Sequence, residues 1–195
     1  MKRTAKIERK TKETDIVMQI NLDGEGKGNI VTTIPFLDHM LTLLARHGFI
    51  DLTVKGRGDT DVDYHHLVED MGICLGESLK KALGDKKGIT RYGSATVPMD
   101  ESLCAVTIDI SGRPYLIFNA DFGNKMIKDF DPILFEEFFK AVSDHSEMTL
   151  HINIMYGNNP HHMIESVFKA FARSLNKAIS IDSRISGVMS TKGSL

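Results

Sequence analysis

Several features are scarce or missing in this 195-residue sequence, and each absence narrows what the chain can do. There is no basic block: 24 lysines and arginines stand against 26 aspartates and glutamates, so no nucleic-acid partner is expected. No run approaches the roughly 20 apolar residues that a membrane-spanning helix needs. Residues 1–14 are charged and lack the apolar centre of a signal peptide, which makes a soluble, cytoplasmic protein the expectation. Cysteine occurs only twice, at Cys74 and Cys104, in apolar patterns far apart in sequence. They read as reduced core thiols rather than a disulfide or metal ligands. Neither His-Glu-x-x-His nor His-x-x-Glu-His occurs, which removes the zinc-hydrolase signatures.

Histidine, by contrast, is organised. Four of the eight histidines fall in two matching units, His65-His66-x-x-Glu69 and His161-His162-x-x-Glu165, each opening a predicted helix. Residues four apart share a helix face, whereas neighbours diverge by roughly 100°. His65 and Glu69 therefore point one way and His66 another; His161, Glu165 and His162 repeat the arrangement. One helix can in this way serve two different metal ions. Ferritin-like di-iron helices use the reverse sense, Glu-x-x-His, in bundles without strands.

The units belong to a longer repeat. His65/His161, Glu69/Glu165 and Leu79/Leu175 lie 96 residues apart, and His39/Glu137, His47/His145 and Leu52/Leu150 lie 98 apart. Within the first half, Ile16, Met18, Ile20 and Leu22 share a strand face. The glycine-rich turn 23–28 follows, and residues 29–34 read as the returning strand of a hairpin. Helix 36–46 comes next, begun by Pro35 and stopped by Gly48, then strand 49–54 and a helix capped by Asp63 that runs to Gly84. The second half repeats the programme with strand 100–110, return strand 114–118, helix 130–142, strand 148–155 and helix 161–179. The expected fold is α+β: a small antiparallel sheet carrying two helices, duplicated, with the halves packed face to face in one domain, 1–195. Repeat one covers about 1–88, repeat two about 89–182, and a tail covers 183–195.

Imidazole nitrogens and carboxylate oxygens without thiolate suit Mn, Fe, Co, Ni or Zn. The repeat also nominates His39 and Glu137, giving two sets of four. His39, His66, His161 and Glu165 form one; His65, Glu69, Glu137 and His162 form the other, with His145 as the competitor to Glu137. Lys169 follows Glu165 on the same face, and its repeat-one counterpart is Ile73. Arg91 and Arg113 stand beside glycine turns where a guanidinium can hold phosphate.

Taken with Arg9-x-Thr-x-Glu13-Thr14, Ile34-Pro-Phe-Leu-Asp-His39, Arg91-Tyr-Gly93, Pro98-Met-Asp-Glu101, Ser111-Gly-Arg-Pro114 and Ser190-Thr-Lys-Gly193, these units make the chain resemble the imidazoleglycerol-phosphate dehydratase family, in its monofunctional form, over essentially its whole length. The resemblance implies a manganese-dependent lyase of L-histidine biosynthesis that turns D-erythro-imidazole glycerol phosphate into imidazole acetol phosphate. It implies repeats similar to the second domain of ribosomal protein S5, two Mn ions per site divided as above, and a hollow twenty-four-subunit homo-oligomer of cubic symmetry with sites between subunits. Substrate contacts carry over to Glu13, His47, Arg91, Arg113, Lys169, Ser190, Thr191 and Lys192, and Glu13, His65 and Glu165 are the expected catalytic groups. Members of the family commonly carry histidine where this chain has Glu137. The proton to be lost lies beside an imidazole ring and is not acidic. A dimanganese-bound imidazolate would supply the electrons that expel hydroxide, with no protein nucleophile, and Glu13 would handle protons or orient the glycerol chain.

Overall fold

The computed structural model describes residues 2–195. Among those residues, eight strands and four helices follow in the order β1 (Thr4–Lys10), β2 (Thr14–Asn21), β3 (Gly28–Val31), α1 (Pro35–Gly48), β4 (Asp51–Gly58), α2 (His65–Leu83), β5 (Tyr92–Met99), β6 (Ser102–Asp109), β7 (Tyr115–Asn119), α3 (Leu134–Ser146), β8 (Thr149–Tyr156) and α4 (Pro160–Ile179). The pattern β-β-β-α-β-α occurs twice. Each copy makes one four-stranded sheet, ordered β1-β2-β4-β3 and β5-β6-β8-β7.

The duplicated α+β architecture matches the sequence reading, but the strand pairing corrects it. The hairpins are β1–β2 and β5–β6, not the strand pairs that flank the glycine turns. β3 pairs parallel with β4, and β7 parallel with β8, so each sheet is mixed rather than wholly antiparallel. The physical reason lies in the 23–28 turn, which folds around Asp51 at the start of β4: Asp51 Oδ1 accepts from the backbone N–H groups of Glu25 at 2.9 Å and Lys27 at 3.0 Å. The chain then crosses through α1, and β4 inserts between β2 and β3. β5 was not anticipated, because Gly93 and Pro98 interrupt its alternation; both are compatible with an edge strand. The third helix begins at Leu134 rather than 130. Phe130 instead sits buried in a short bridge with Ile127 and stacks on Tyr64.

Helix ends repeat between the halves. Asp63 and Asn159, 96 residues apart, each accept the backbone N–H of the histidine two positions on, at 2.8 and 3.0 Å. Tyr64, not Asp63, occupies the formal cap position of α2. At the other end, α1 and α3 both stop on a left-handed residue, Phe49 (φ 54°) and Glu147 (φ 58°), 98 residues apart. The next residue in each case, Ile50 or Met148, donates back to Ala45 O or Ser143 O.

The helices lie between the sheets, so the halves do pack face to face. α2 packs on β1 and β2 and against α3, while α4 packs on β5 and β6 and against α1. Both interhelical pairs run parallel. Gly72 faces Phe138 and Ala141, and one turn later Gly76 faces Val142 and His145. These glycines let the backbones of α2 and α3 approach more closely than any side chain allows. Phe135, Phe138, Phe139, Phe168 and Phe171 fill the centre, fully buried, with ring centroids 5.0–6.2 Å apart in mostly tilted or edge-to-face geometry. No described helix is long and apolar enough to cross a membrane.

Candidate metal centre

The parallel packing of α1 on α4 brings a histidine of repeat one against a histidine and a carboxylate of repeat two that are more than 120 residues away in sequence. On α4, His161, Glu165 and Lys169 share a face at intervals of four; on α1, His39 turns towards them. His39 Nε2 lies 3.2 Å and His161 Nε2 3.0 Å from the same oxygen, Glu165 Oε1. Ligand atoms of His39, His161 and Glu165 lie within 4.8 Å of one another. Lys169 Nζ donates to the other oxygen, Oε2, at 2.5 Å and also reaches Met99 Sδ at 3.1 Å. Glu165 is buried, and burial alone would raise its pKa; Lys169, His39 and His161 overcome this and hold the carboxyl at about 2. Phe36 packs its ring 5.2 Å from that of His161 and ties the cluster to the aromatic core.

The equivalent pair, α2 with α3, carries His65, Glu69 and Glu137. His65 Nε2 and Glu69 Oε2 are 3.9 Å apart, and Glu137 stands exposed on α3. The packing of Gly72 on Phe138 places the turn bearing Glu69 beside the turn bearing Glu137. His145 lies two turns beyond and pairs with Glu77 at 3.6 Å.

The remaining histidine of each unit turns aside, as the helical spacing requires: the rings of His65 and His66 are at 90°, those of His161 and His162 at 86°. Neither is idle. His66 Nδ1 meets both oxygens of Asp59 at 3.0 and 3.2 Å, and His162 Nδ1 meets Glu101 Oε2 at 2.7 Å. Each carboxylate raises the pKa of its histidine, and His162 holds the Glu101 carboxyl down at about 2. Asp59 carried no signal in the sequence reading, and Glu101 entered only within the Pro98-Met-Asp-Glu101 motif. Within one chain, then, three members of the first set converge and His66 does not join them.

The predicted substrate contacts divide between three places. Arg91 is clamped by Asp109 through two bonds, at 2.6 and 3.1 Å, and donates to Met189 O at 2.9 Å. The Asp109 hydrogen bonds keep its guanidinium charged against the cost of burial. Arg113 reaches the same Asp109 at 3.9 Å and is largely exposed. The tail beyond Met189, with Ser190, Thr191 and Lys192, lies beside this pair, and Lys192 N donates to Ser190 Oγ at 3.2 Å. Sequence reading missed Asp109, whose signal was its place two residues before the Ser111-Gly112 turn. Lys169 stands elsewhere: Arg91 N bonds Ala178 O, nine residues further along α4 than Lys169, or about 13 Å at the helical rise. His47 is half-buried on α1, where burial and then the charges of Lys169 and Arg173 lower its pKa. Glu13 is exposed in the β1–β2 turn.

Residues 32–175 match the family model for imidazoleglycerol-phosphate dehydratase. A protein of that name from Syntrophus aciditrophicus is 63% identical over 194 residues, covering 99% of this chain and 98% of that protein. Another from Geobacter sulfurreducens is 56% identical over 195 residues, covering all of both. Among solved structures, the imidazoleglycerol-phosphate dehydratase of Staphylococcus aureus superposes with a TM-score of 0.83 at 40% identity, over 92% of this chain and 99% of that one. The enzyme from Pyrococcus furiosus superposes with a TM-score of 0.85 at 38% identity, over 97% and 100%.

Proposed function

The chain belongs to the imidazoleglycerol-phosphate dehydratase family, and we propose that it removes water from D-erythro-imidazole glycerol phosphate to give imidazole acetol phosphate in L-histidine biosynthesis, using two manganese ions per site. It is a lyase, and the observation that carries the metal reading is the convergence of His39, His161 and Glu165. Two imidazole nitrogens and an ionised carboxylate aimed at one point, with both thiols elsewhere, form a donor set that suits Mn among the borderline and hard divalent ions. His65, Glu69, Glu137 and His162 form the second set. Held by these residues, a divalent ion would supply Lewis acidity towards a ring nitrogen of the substrate.

The chain's own residues do the rest. Glu165 brings negative charge to the first set and, through Lys169, couples it to a cation that can reach a phosphate or hydroxyl oxygen. Arg91, aligned by Asp109, presents a planar fork to the phosphate, and Arg113, Ser190, Thr191 and Lys192 add donors around it. His47 contacts the substrate, and Glu13 handles protons or orients the glycerol chain.

Two features favour sites shared between copies of the chain. His66 lies apart from the His39 cluster, and Lys169 lies apart from Arg91, so a neighbour's groups complete each set. A cubic twenty-four-subunit homo-oligomer in the cytoplasm fits that requirement. The test is to strip the protein with a chelator and follow imidazole glycerol phosphate. Turnover should vanish and return with Mn. A folded oligomer that takes up Mn yet leaves the substrate intact would favour metal storage instead.

A further inference from the structure

The duplication left two carboxylates at equivalent places, and the halves use them differently. Glu13 lies in the β1–β2 turn and Glu101 in the β5–β6 turn. In repeat two, Glu101 is fully engaged. Its Oε2 takes His162 Nδ1 at 2.7 Å, and its Oε1 accepts from the backbone N–H groups of Asn159 at 2.8 Å and Asn158 at 3.3 Å. In repeat one the histidine equivalent to His162 is His66, and its Nδ1 goes to Asp59, which lies between β4 and α2. The Glu13 backbone is pinned on both sides: its N–H donates to Thr11 Oγ1 and its carbonyl accepts from Asp59 N, each at 3.0 Å. Among the described residues, no hydrogen bond or ion pair takes the Glu13 carboxylate. It borders an open cavity of about 360 Å³ lined also by Lys10, Lys12, Arg57 and Asp59.

An imidazole that donates from Nδ1 to a carboxylate has its tautomer fixed, leaving the Nε2 lone pair directed outward and more basic. We propose that Asp59 and Glu101 are positioning residues that seat His66 and His162 as Nε2 metal ligands. By taking His66, Asp59 frees the Glu13 carboxylate for the substrate, a duty that the engaged Glu101 cannot share. The inference rests on the reading of both histidines as metal ligands.

The experiment is a titration of the stripped chain with Mn against a chromophoric chelator, alongside melting of the metal-free variants as a check of folding. Wild-type chain that takes no Mn would overturn the metal reading itself. If wild type binds, Asp59→Ala and Glu101→Gln should each weaken Mn uptake by about 10- to 100-fold, while Asp59→Glu should recover part of the loss. Glu13→Gln should leave Mn affinity unchanged. Affinities within twofold of wild type for both Asp59→Ala and Glu101→Gln would overturn the proposal. Kinetics test the second half: at Mn concentrations that refill Asp59→Ala, kcat should stay low with KM little changed, because His66, left without Asp59, should draw the Glu13 carboxylate away from the substrate. Full recovery of kcat on refilling would show that Asp59 does not keep Glu13 free.

Discussion

Replacing Gly72 with alanine sets two effects of known size against each other. In an open helix the change stabilises by about 1 kcal/mol, because alanine is the better helix former. Gly72, however, sits where α2 crosses closest to α3. A Cβ there would lie 2.4 Å from Phe138 O and 2.9 Å from Ala141 Cβ. Carbon–oxygen contacts normally hold at roughly 3.3 Å or more, and a backbone carbonyl cannot rotate away. Overpacking costs about 1–3 kcal/mol, and this site belongs at the upper end. The balance is a net loss of about 1–2 kcal/mol, or roughly 2–8 °C in Tm for a chain of this size. Urea and thermal unfolding of the metal-free protein measure it. The same displacement separates the turns that bear Glu69 and Glu137, so Mn uptake at the second set should weaken as well. A Gly72→Ala protein that melts higher than wild type would refute the close approach of α2 and α3.

Three further outcomes follow from the site and the core. Glu13→Gln should retain both metal ions and lose most turnover; near-normal kcat would remove Glu13 from the mechanism. The Glu165 carboxyl, held at about 2 in the fold, stabilises the native state fully above its ordinary value near 4.5 and loses that contribution as pH falls towards 2. The stability gap between metal-free wild type and Glu165→Gln should therefore be present at pH 6 and shrink by pH 3, and a gap that does not change with pH would contradict the assignment. Burial pushes the thiols of Cys74 and Cys104 up to about 12, so iodoacetamide at pH 8 should leave the native chain unlabelled and modify both cysteines once urea unfolds it; labelling without denaturant would mean that one of them is exposed.

The helices and the duplication were legible because they depend on local spacing. The interval of four between His161 and Glu165 survives folding unchanged, and the 96-residue offset aligned Asp63 with Asn159 as well as the histidines. Strand order was not legible, because pairing depends on where the chain goes after a turn. The 23–28 segment carries the glycines of a hairpin turn, yet its partner is the side chain of Asp51 on a later strand. Gly93 marked no strand in sequence, but in the fold it lets β5 come against α4, where a Cβ would lie 1.9 Å from Ser174 O. In the site, the groups that act at helical spacing were found. Asp59 and Asp109, which act by reaching from loop or strand to a residue elsewhere, were not, since a lone aspartate has no pattern of its own.

The left-handed ends of α1 and α3 bear on ancestry. Phe49 and Glu147 have nothing in common as side chains, and neither is at ease at positive φ. They hold the same awkward angle 98 residues apart, followed by the same backward hydrogen bond. The paired histidines are weaker testimony to a shared ancestor, because metal chemistry would keep them in place whatever their origin. A bend that serves no ligand, retained after its residue has drifted from one chemistry to another, is a relic of the single unit from which both halves were copied.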